Sequence, residues 1–169
     1  MSNKEIYLGE AKRGPRQPHW HGYWCVNFMI IEESIIIHST METLWKTFID
    51  LSCWMSWNTV MKDVSSDEQL LTNGSNLKCS FRPFLFPVEV RISVVEVIPF
   101  ERIVWSTRKK GLFTFHEFFF QTHEKGVIVT SKETFTGLLT KGSGFLLPVK
   151  RMQTLTKIFL KDLKKASES

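Results

Sequence analysis

Residues 112–136 read LFTFHEFFFQTHEKGVIVTSKETFT, two runs of strand length on either side of the turn signal Lys125-Gly126. With Glu124-Lys125 as a two-residue turn, Phe120 faces Val129, Phe118 faces Ser131, His116 faces Glu133 and Thr114 faces Phe135 on one side of the hairpin. Phe113, Phe115 and Phe119 fall on the other side. A second two-residue turn at Lys110-Gly111 brings Trp105 and Thr107 to the side of His116 and sends Arg102, Ser106, Arg108, Lys132 and Thr134 to solvent. The polar residues sort outward, so the register predicts one apolar face with a His and a Glu set into it as cross-strand neighbours.

Outward from this hairpin, turn signals at Asn73-Gly74 and Pro99 divide the preceding chain into further strand-length segments. Six strands are predicted near 63–71, 76–83, 87–98, 102–109, 112–122 and 127–136, joined as antiparallel hairpins because the gaps are too short for crossovers. Val94-Val95 breaks the alternation of Val88, Val90 and Ile92, and a β-bulge there keeps Glu96 outside and bends the sheet. Upstream, the β-branched run Ile30–Ser39 reads as a strand, and Ser39-x-x-Glu42 has the form of a capping box. Met41, Leu44, Trp45 and Phe48 then follow at helical spacing, and a second short helix holds Cys53, Trp54 and Trp57. Downstream, Pro148 suits the first position of a helix in which Val149, Met152, Leu155, Phe159 and Leu163 repeat up to a Lys-rich end. The predicted architecture is α+β, a helix-grip fold: a curved antiparallel seven-stranded sheet wrapped around a long C-terminal helix, with two short helices after the first strand.

The 169 residues are 43% apolar and 23% charged, the balance of one ordinary domain, taken as 29–169 behind an irregular Gly- and Pro-punctuated arm at 1–28. Met29 is a candidate alternative start. The formal charge of +5 is dispersed except near the C-terminus, which does not point to nucleic acid. Cys25, Cys53 and Cys79 share no metal-ligand spacing and suit reduced thiols in a cytoplasmic setting. His19-x-His21-x-x-x-Cys25 lacks a fourth ligand, so no metal is expected. No run of about 18 apolar residues exists to cross a membrane. No cofactor is expected, since phosphate loop, Rossmann fingerprint, CxxC pair and Gly-x-Ser-x-Gly elbow are all missing from the sequence.

The string Ser39-Thr40-Met41-Glu42-Thr43-Leu44-Trp45, followed by Phe48-Ile49-Asp50 and Trp54-Met55-Ser56-Trp57-Asn58, resembles the opening of the START-like (SRPBCC) superfamily, in its polyketide cyclase/dehydrase and lipid-transport branch. Val94-Val95-Glu96-Val97-Ile98-Pro99 with Arg102-Ile103-Val104-Trp105, then His116-Glu117-Phe118, then Glu133-Thr134-Phe135-Thr136-Gly137 agree with that family in order and spacing. The resemblance covers about residues 30–165. It implies the helix-grip fold and a hollow on its concave face; its members include carriers, hormone receptors, cyclases and chaperone co-activators, so it implies no single function.

Val90, Ile92, Trp105, Thr107, Phe118, Phe120, Ser131 and Phe135, opposed by Met152, Leu155 and Phe159, are the expected lining of that chamber, with His116 and Glu133 as its ionisable pair. Periodicity alone favours a filled core, and the resemblance is what favours a hollow. A His beside a carboxylate can act as general base or acid, the Glu fixing the tautomer and raising the basicity. The alternative is a cross-strand hydrogen bond that only orients a ligand. No nucleophile or oxyanion hole accompanies the pair, so no catalytic residue is assigned beyond the candidates His116 and Glu133.

The expected function is binding or transport of a hydrophobic small molecule, a lipid, quinone, polyketide or aromatic metabolite. The alternatives are a cyclase/dehydratase-type enzyme and a chaperone co-activator-like interaction module. Leu138, Leu139, Gly142, Gly144 and Phe145 are the expected gate over the chamber. Trp20, Tyr23, Trp24 and Phe28 suit packing of the arm on the outer face, and Lys157, Lys161, Lys164 and Lys165 suit a solvated helix face or a transient membrane-surface or protein contact.

Overall fold

The structure, a computed structural model, describes residues 8–9, 28–109, 111–137 and 148–169. The two-residue strand β1 (Leu8–Gly9) is followed by β2 (Phe28–Ile37), α1 (Met41–Ile49), α2 (Leu51–Trp57), β3 (Lys62–Ser66), β4 (Asn76–Phe81), β5 (Val88–Ile98), β6 (Arg102–Lys109), β7 (Leu112–His123), β8 (Gly126–Thr136) and α3 (Val149–Ser167). They form one antiparallel sheet in the order β1-β2-β8-β7-β6-β5-β4-β3. Seven strands make the curved sheet of a helix-grip fold, and β1 adds Leu8 opposite Met29 at one edge. No helix among the described residues is long and apolar enough to cross a membrane.

The hairpin register follows the turns. Phe118 pairs with Ser131, His116 with Glu133 and Thr114 with Phe135, while Trp105 pairs with His116 and Thr107 with Thr114. The bulge lies between Val94 and Glu96, and Glu96 accepts from Arg102 Nε at 2.7 Å outside the core. Gly126 at the end of the β7–β8 turn has a φ of +127°, and a Cβ there would lie 2.1 Å from the carbonyl oxygen of Ile37, so the turn presses directly on β2.

The helix ends differ by one residue from the sequence expectation. Thr40, not Ser39, caps α1: its hydroxyl accepts from Thr43 N at 3.1 Å and donates to Thr43 Oγ1 at 3.0 Å. Pro148 stands at the N-cap of α3 instead of its first turn. Asp50 ends α1 and caps α2 by accepting from Ser52 N at 3.1 Å, and buried Trp54 Nε1 donates to Phe48 O at 2.8 Å across the joint. After α2, Asn58 Oδ1 accepts from Val60 N and Met61 N, while Thr59 donates to Asp162 on α3. α3 is stitched to β2 by Gln153 to Glu33 at 2.9 Å, Lys157 to Glu33 at 3.5 Å and Lys164 to the Ile36 carbonyl at 2.7 Å. Two of the four lysines that form its basic face are therefore engaged with the sheet.

Phe48 of α1 is the hub of the core. Its ring meets Trp54 of α2, Trp105 of β6, Phe118 and Phe120 of β7 and Phe159 of α3, all with centroids 4.9–6.0 Å apart. A smaller cluster of Met29, Ile31, Phe135, Met152 and Leu155 sits at the other end of α3. Phe48→Ala is expected to cost about 3–5 kcal/mol, because a ring with five aromatic neighbours cannot be replaced by local collapse. Gly126→Ala is expected to cost more than about 1 kcal/mol from its φ and the Ile37 contact. Urea denaturation of each variant measures both, and an unchanged midpoint in either contradicts the role given to that residue.

Candidate functional site

Between the two clusters the sheet and α3 enclose a cavity of about 470 Å³. Val90 and Ile92 of β5, Trp105 and Thr107 of β6, His116 and Phe118 of β7 and Phe135 of β8 reach it from the sheet. Met152, Leu155 and Phe159 close it from α3. The alternation of each strand delivers these side chains, since every second residue faces inward.

Two residues expected in the lining lie elsewhere. Phe120 packs in the core, 5.2 Å from Trp45 and 5.4 Å from Phe48. Ser131 is fully buried behind the cavity wall, where its hydroxyl shares a 2.7 Å hydrogen bond with His116 Nε2. Both face inward as the register requires; α1 covers one, and the imidazole covers the other. The expected gate residues Leu138, Leu139, Gly142, Gly144 and Phe145 lie outside the described residues, as do His19, His21, Cys25 and the arm aromatics Trp20, Tyr23 and Trp24. Phe113 and Phe115 form an edge-on pair at 4.7 Å on the outer face of the sheet.

Sequence reasoning missed the β4–β5 loop. Pro83, Phe84, Phe86 and Pro87 line the cavity, as do Val60 and Met61 after α2. The signal was present: after Arg82, Pro83-Phe84-Leu85-Phe86-Pro87 is an uncharged apolar run where a hairpin turn is normally polar. Thr114, which the register placed beside Phe135, also lines the wall.

Thr107, Thr114, His116 and Glu133 form a polar strip across β6, β7 and β8 in a mainly apolar chamber, whose other polar lining residues are Thr156 and the exposed Glu89 and Lys109. The His116 ring is stacked on Phe118 at 4.2 Å and meets Trp105 edge-on at 5.3 Å. Burial among these rings pushes its pKa down to about 3, because a cation there loses its hydration without gaining an anion. Glu133 stands directly across the strand pair, and burial pushes its carboxyl up to about 8. Its carboxyl has no hydrogen-bond partner among the described residues and borders the cavity. The expectation that Glu133 would fix the tautomer and raise the basicity is therefore corrected. The imidazole bonds Ser131, and both groups are uncharged at neutral pH, since desolvating two charges costs more here than their attraction returns.

Other chemistry is sparse. Cys79 is buried away from the cavity with its thiol pushed up to about 12 by burial, and Cys53 is exposed on α2. No cluster of three or more metal-ligating side chains exists among the described residues.

No protein-family model matches the chain, and no curated protein sequence matches it. Solved structures do. The di-domain ARO/CYC protein StfQ of the steffimycin biosynthetic pathway is similar at a TM-score of 0.68 and 13% identity, over 83% of this chain and 51% of that one. BexL, the di-domain ARO/CYC protein of the BE-7585A pathway, is similar at 0.68 and 14%, over 84% of this chain and 50% of that one. The chain thus spans about half the length of each di-domain protein. A protein of Thermus thermophilus is similar at 0.68 and 14%, over 82% of this chain and 96% of that one. The chain shares the fold of polyketide ARO/CYC proteins.

The two shifted groups give opposite pH slopes. Between its ordinary value of 4.5 and about 8, Glu133 holds a proton in the folded state that the unfolded chain has lost, so stability falls as pH rises through that window. Between about 3 and 6.5, His116 lacks a proton that the unfolded chain binds, so stability rises with pH there. The slopes oppose one another from 4.5 to 6.5, leaving a net descent from 6.5 to 8. Glu133→Gln is expected to remove that descent, which is at most about 1.4 kcal/mol per pH unit. Denaturant midpoints of the two proteins across this range measure it, and parallel curves would mean that Glu133 is already ionised when folded.

Proposed function

We propose that the protein binds and carries a hydrophobic small molecule in this cavity, with an uncharged polar end of the ligand against His116 and Glu133. The observation that carries this reading is a mainly apolar chamber of about 470 Å³ crossed by one strip of neutral polar groups. A chamber of this size suits a small organic ligand, and few polar groups suffice to orient it. A protonated carboxyl donates a hydrogen bond to a carbonyl, ether or hydroxyl oxygen. The charged groups of the lining, Lys109 and Glu89, are exposed at its rim, so the inner strip offers a ligand no formal charge. Lipids with buried neutral linkages, quinones, polyketides and aromatic ketones fit. Likeness to StfQ and BexL supports a ligand of the polyketide kind without specifying it.

A second reading is a cyclase/dehydratase-type enzyme. One feature favours it: Glu133 as a protonated acid and His116 as a neutral base face one another across adjacent strands, so each holds the protonation state needed to give or take a proton.

Organic extraction of the purified protein followed by mass spectrometry identifies a retained ligand, and titration with the neutral ketone probe Nile red measures the cavity. Leu155→Trp is expected to weaken probe binding by about tenfold or more by filling the chamber. Probe affinity of the unmodified protein is expected to fall above about pH 8, as Glu133 ionises, and to hold steady in Glu133→Gln. No extracted ligand together with no probe binding contradicts the carrier reading. For the enzyme reading, His116→Asn retains probe binding but no longer converts the extracted molecule to a product lacking one water; a molecule recovered unchanged from the wild type contradicts it.

A further inference from the structure

We propose that the β4–β5 loop docks the cavity mouth onto an anionic lipid bilayer. The tip Phe84-Leu85-Phe86 carries no charge, and its side chains are exposed: Leu85 fully, Phe86 to 61% and Phe84 to 42%. A cluster of this kind on a folded surface ordinarily marks an interaction site. The tip is preformed, since the Phe84 and Phe86 rings stack at 5.4 Å and 15° and Pro83 and Pro87 restrict the backbone at both ends.

The surroundings specify an anionic partner. Arg82 begins the loop, and Arg151 Nε donates to its carbonyl oxygen at 3.3 Å, which sets the first turn of α3 beside the tip. That turn contains Lys150 and Arg151 and no acidic residue. Cations at a helix N-terminus oppose the helix dipole, so their placement costs stability unless an external anion lies there. On the other side, Lys109 Nζ donates to the Glu89 carbonyl at 2.7 Å. The exposed acid of the cavity lining, Glu89, is paired with Lys78 at 3.0 Å. An apolar prong inside a basic collar complements a bilayer with anionic headgroups: the rings and Leu85 enter the acyl boundary while the cations meet phosphate and carboxylate. A protein partner would need a matching apolar socket, of which nothing in the charge pattern speaks.

Phe84 and Phe86 belong both to the exposed tip and to the cavity lining, so docking sets the chamber against the bilayer. This consequence rests on the carrier reading; the docking itself does not.

Co-sedimentation with phosphatidylcholine–phosphatidylserine vesicles, against pure phosphatidylcholine vesicles, tests the docking without any cargo. The expected result is association that requires phosphatidylserine and weakens as salt rises. Leu85→Ser with Phe86→Ser is expected to reduce it by about tenfold or more, and Lys150→Glu to reduce it on the anionic vesicles, with the urea midpoint unchanged in the tip variant and unchanged or raised in Lys150→Glu. Equal binding to both vesicle types, or full binding by the folded tip variant, overturns the proposal. So does a concentration-dependent dimer that the tip variant abolishes without any vesicle binding, which would assign the tip to a second copy of the chain. Nile red binding in vesicle-free buffer, measured alongside, reports the cavity separately. Vesicle binding with no probe uptake overturns the carrier reading alone, and probe uptake with no vesicle binding overturns the docking alone.

Discussion

Five aromatic rings from α2, β6, β7 and α3 converge on Phe48 of α1, and the arrangement of the molecule follows from where that convergence sits. A strongly curved sheet has more concave area than one helix can cover. The two short helices fill one end of the trough with Phe48 and Trp54 and are held in place by the indole hydrogen bond to the Phe48 carbonyl. The rest of the trough is covered by α3 together with the β4–β5 loop, and between the first turns of α3 and the sheet the rings of Trp105, Phe118 and Phe159 become wall instead of filling. Dense packing at one end supports a hollow at the other, since a cavity forfeits dispersion contacts that must be made up elsewhere.

The chemistry of that wall follows from burial rather than from pairing. A histidine and a glutamate facing one another across a hairpin suggest an ion pair. In an apolar chamber both groups instead keep the uncharged form, and the Ser131 hydroxyl takes one imidazole nitrogen. The strip therefore presents donors and acceptors without formal charge to the space in front of it.

Opposite solvation rules operate outside. The rim of the cavity combines an apolar tip with cations that meet backbone carbonyls rather than carboxylates, while the basic face of α3 farther along is tied to β2 through Glu33 and the Ile36 carbonyl. The first turn of α3, beside the loop, carries Lys150 and Arg151 with no acidic residue, while along the Lys-rich stretch Lys157 and Lys164 are engaged and Lys161 and Lys165 are exposed.

Apart from β1 in the arm, which it did not indicate, and β3, which ends at Ser66 rather than near 71, the sequence by itself determined the strands, their hairpin register, the bulge at Val94-Val95 and the amphipathic helices. All of these rest on local rules, a period of two or 3.6 and turns that fix the pairing of their neighbours. Register alone put His116 between Glu133 on one neighbouring strand and Trp105 on the other. The tertiary structure decided which inward-facing residues border space and which border other side chains. Phe118 and Phe120 are alternate residues on one face of β7, yet one lines the cavity and the other packs under α1, because Trp45 covers only the second. It also decided the partner of His116 and the lining role of Pro83, Phe84 and Phe86, since a loop's direction depends on the elements it leans against, here the first turn of α3 through the Arg151 to Arg82 contact. Periodicity reports which face a residue is on, and only the packing of distant segments reports what stands opposite that face.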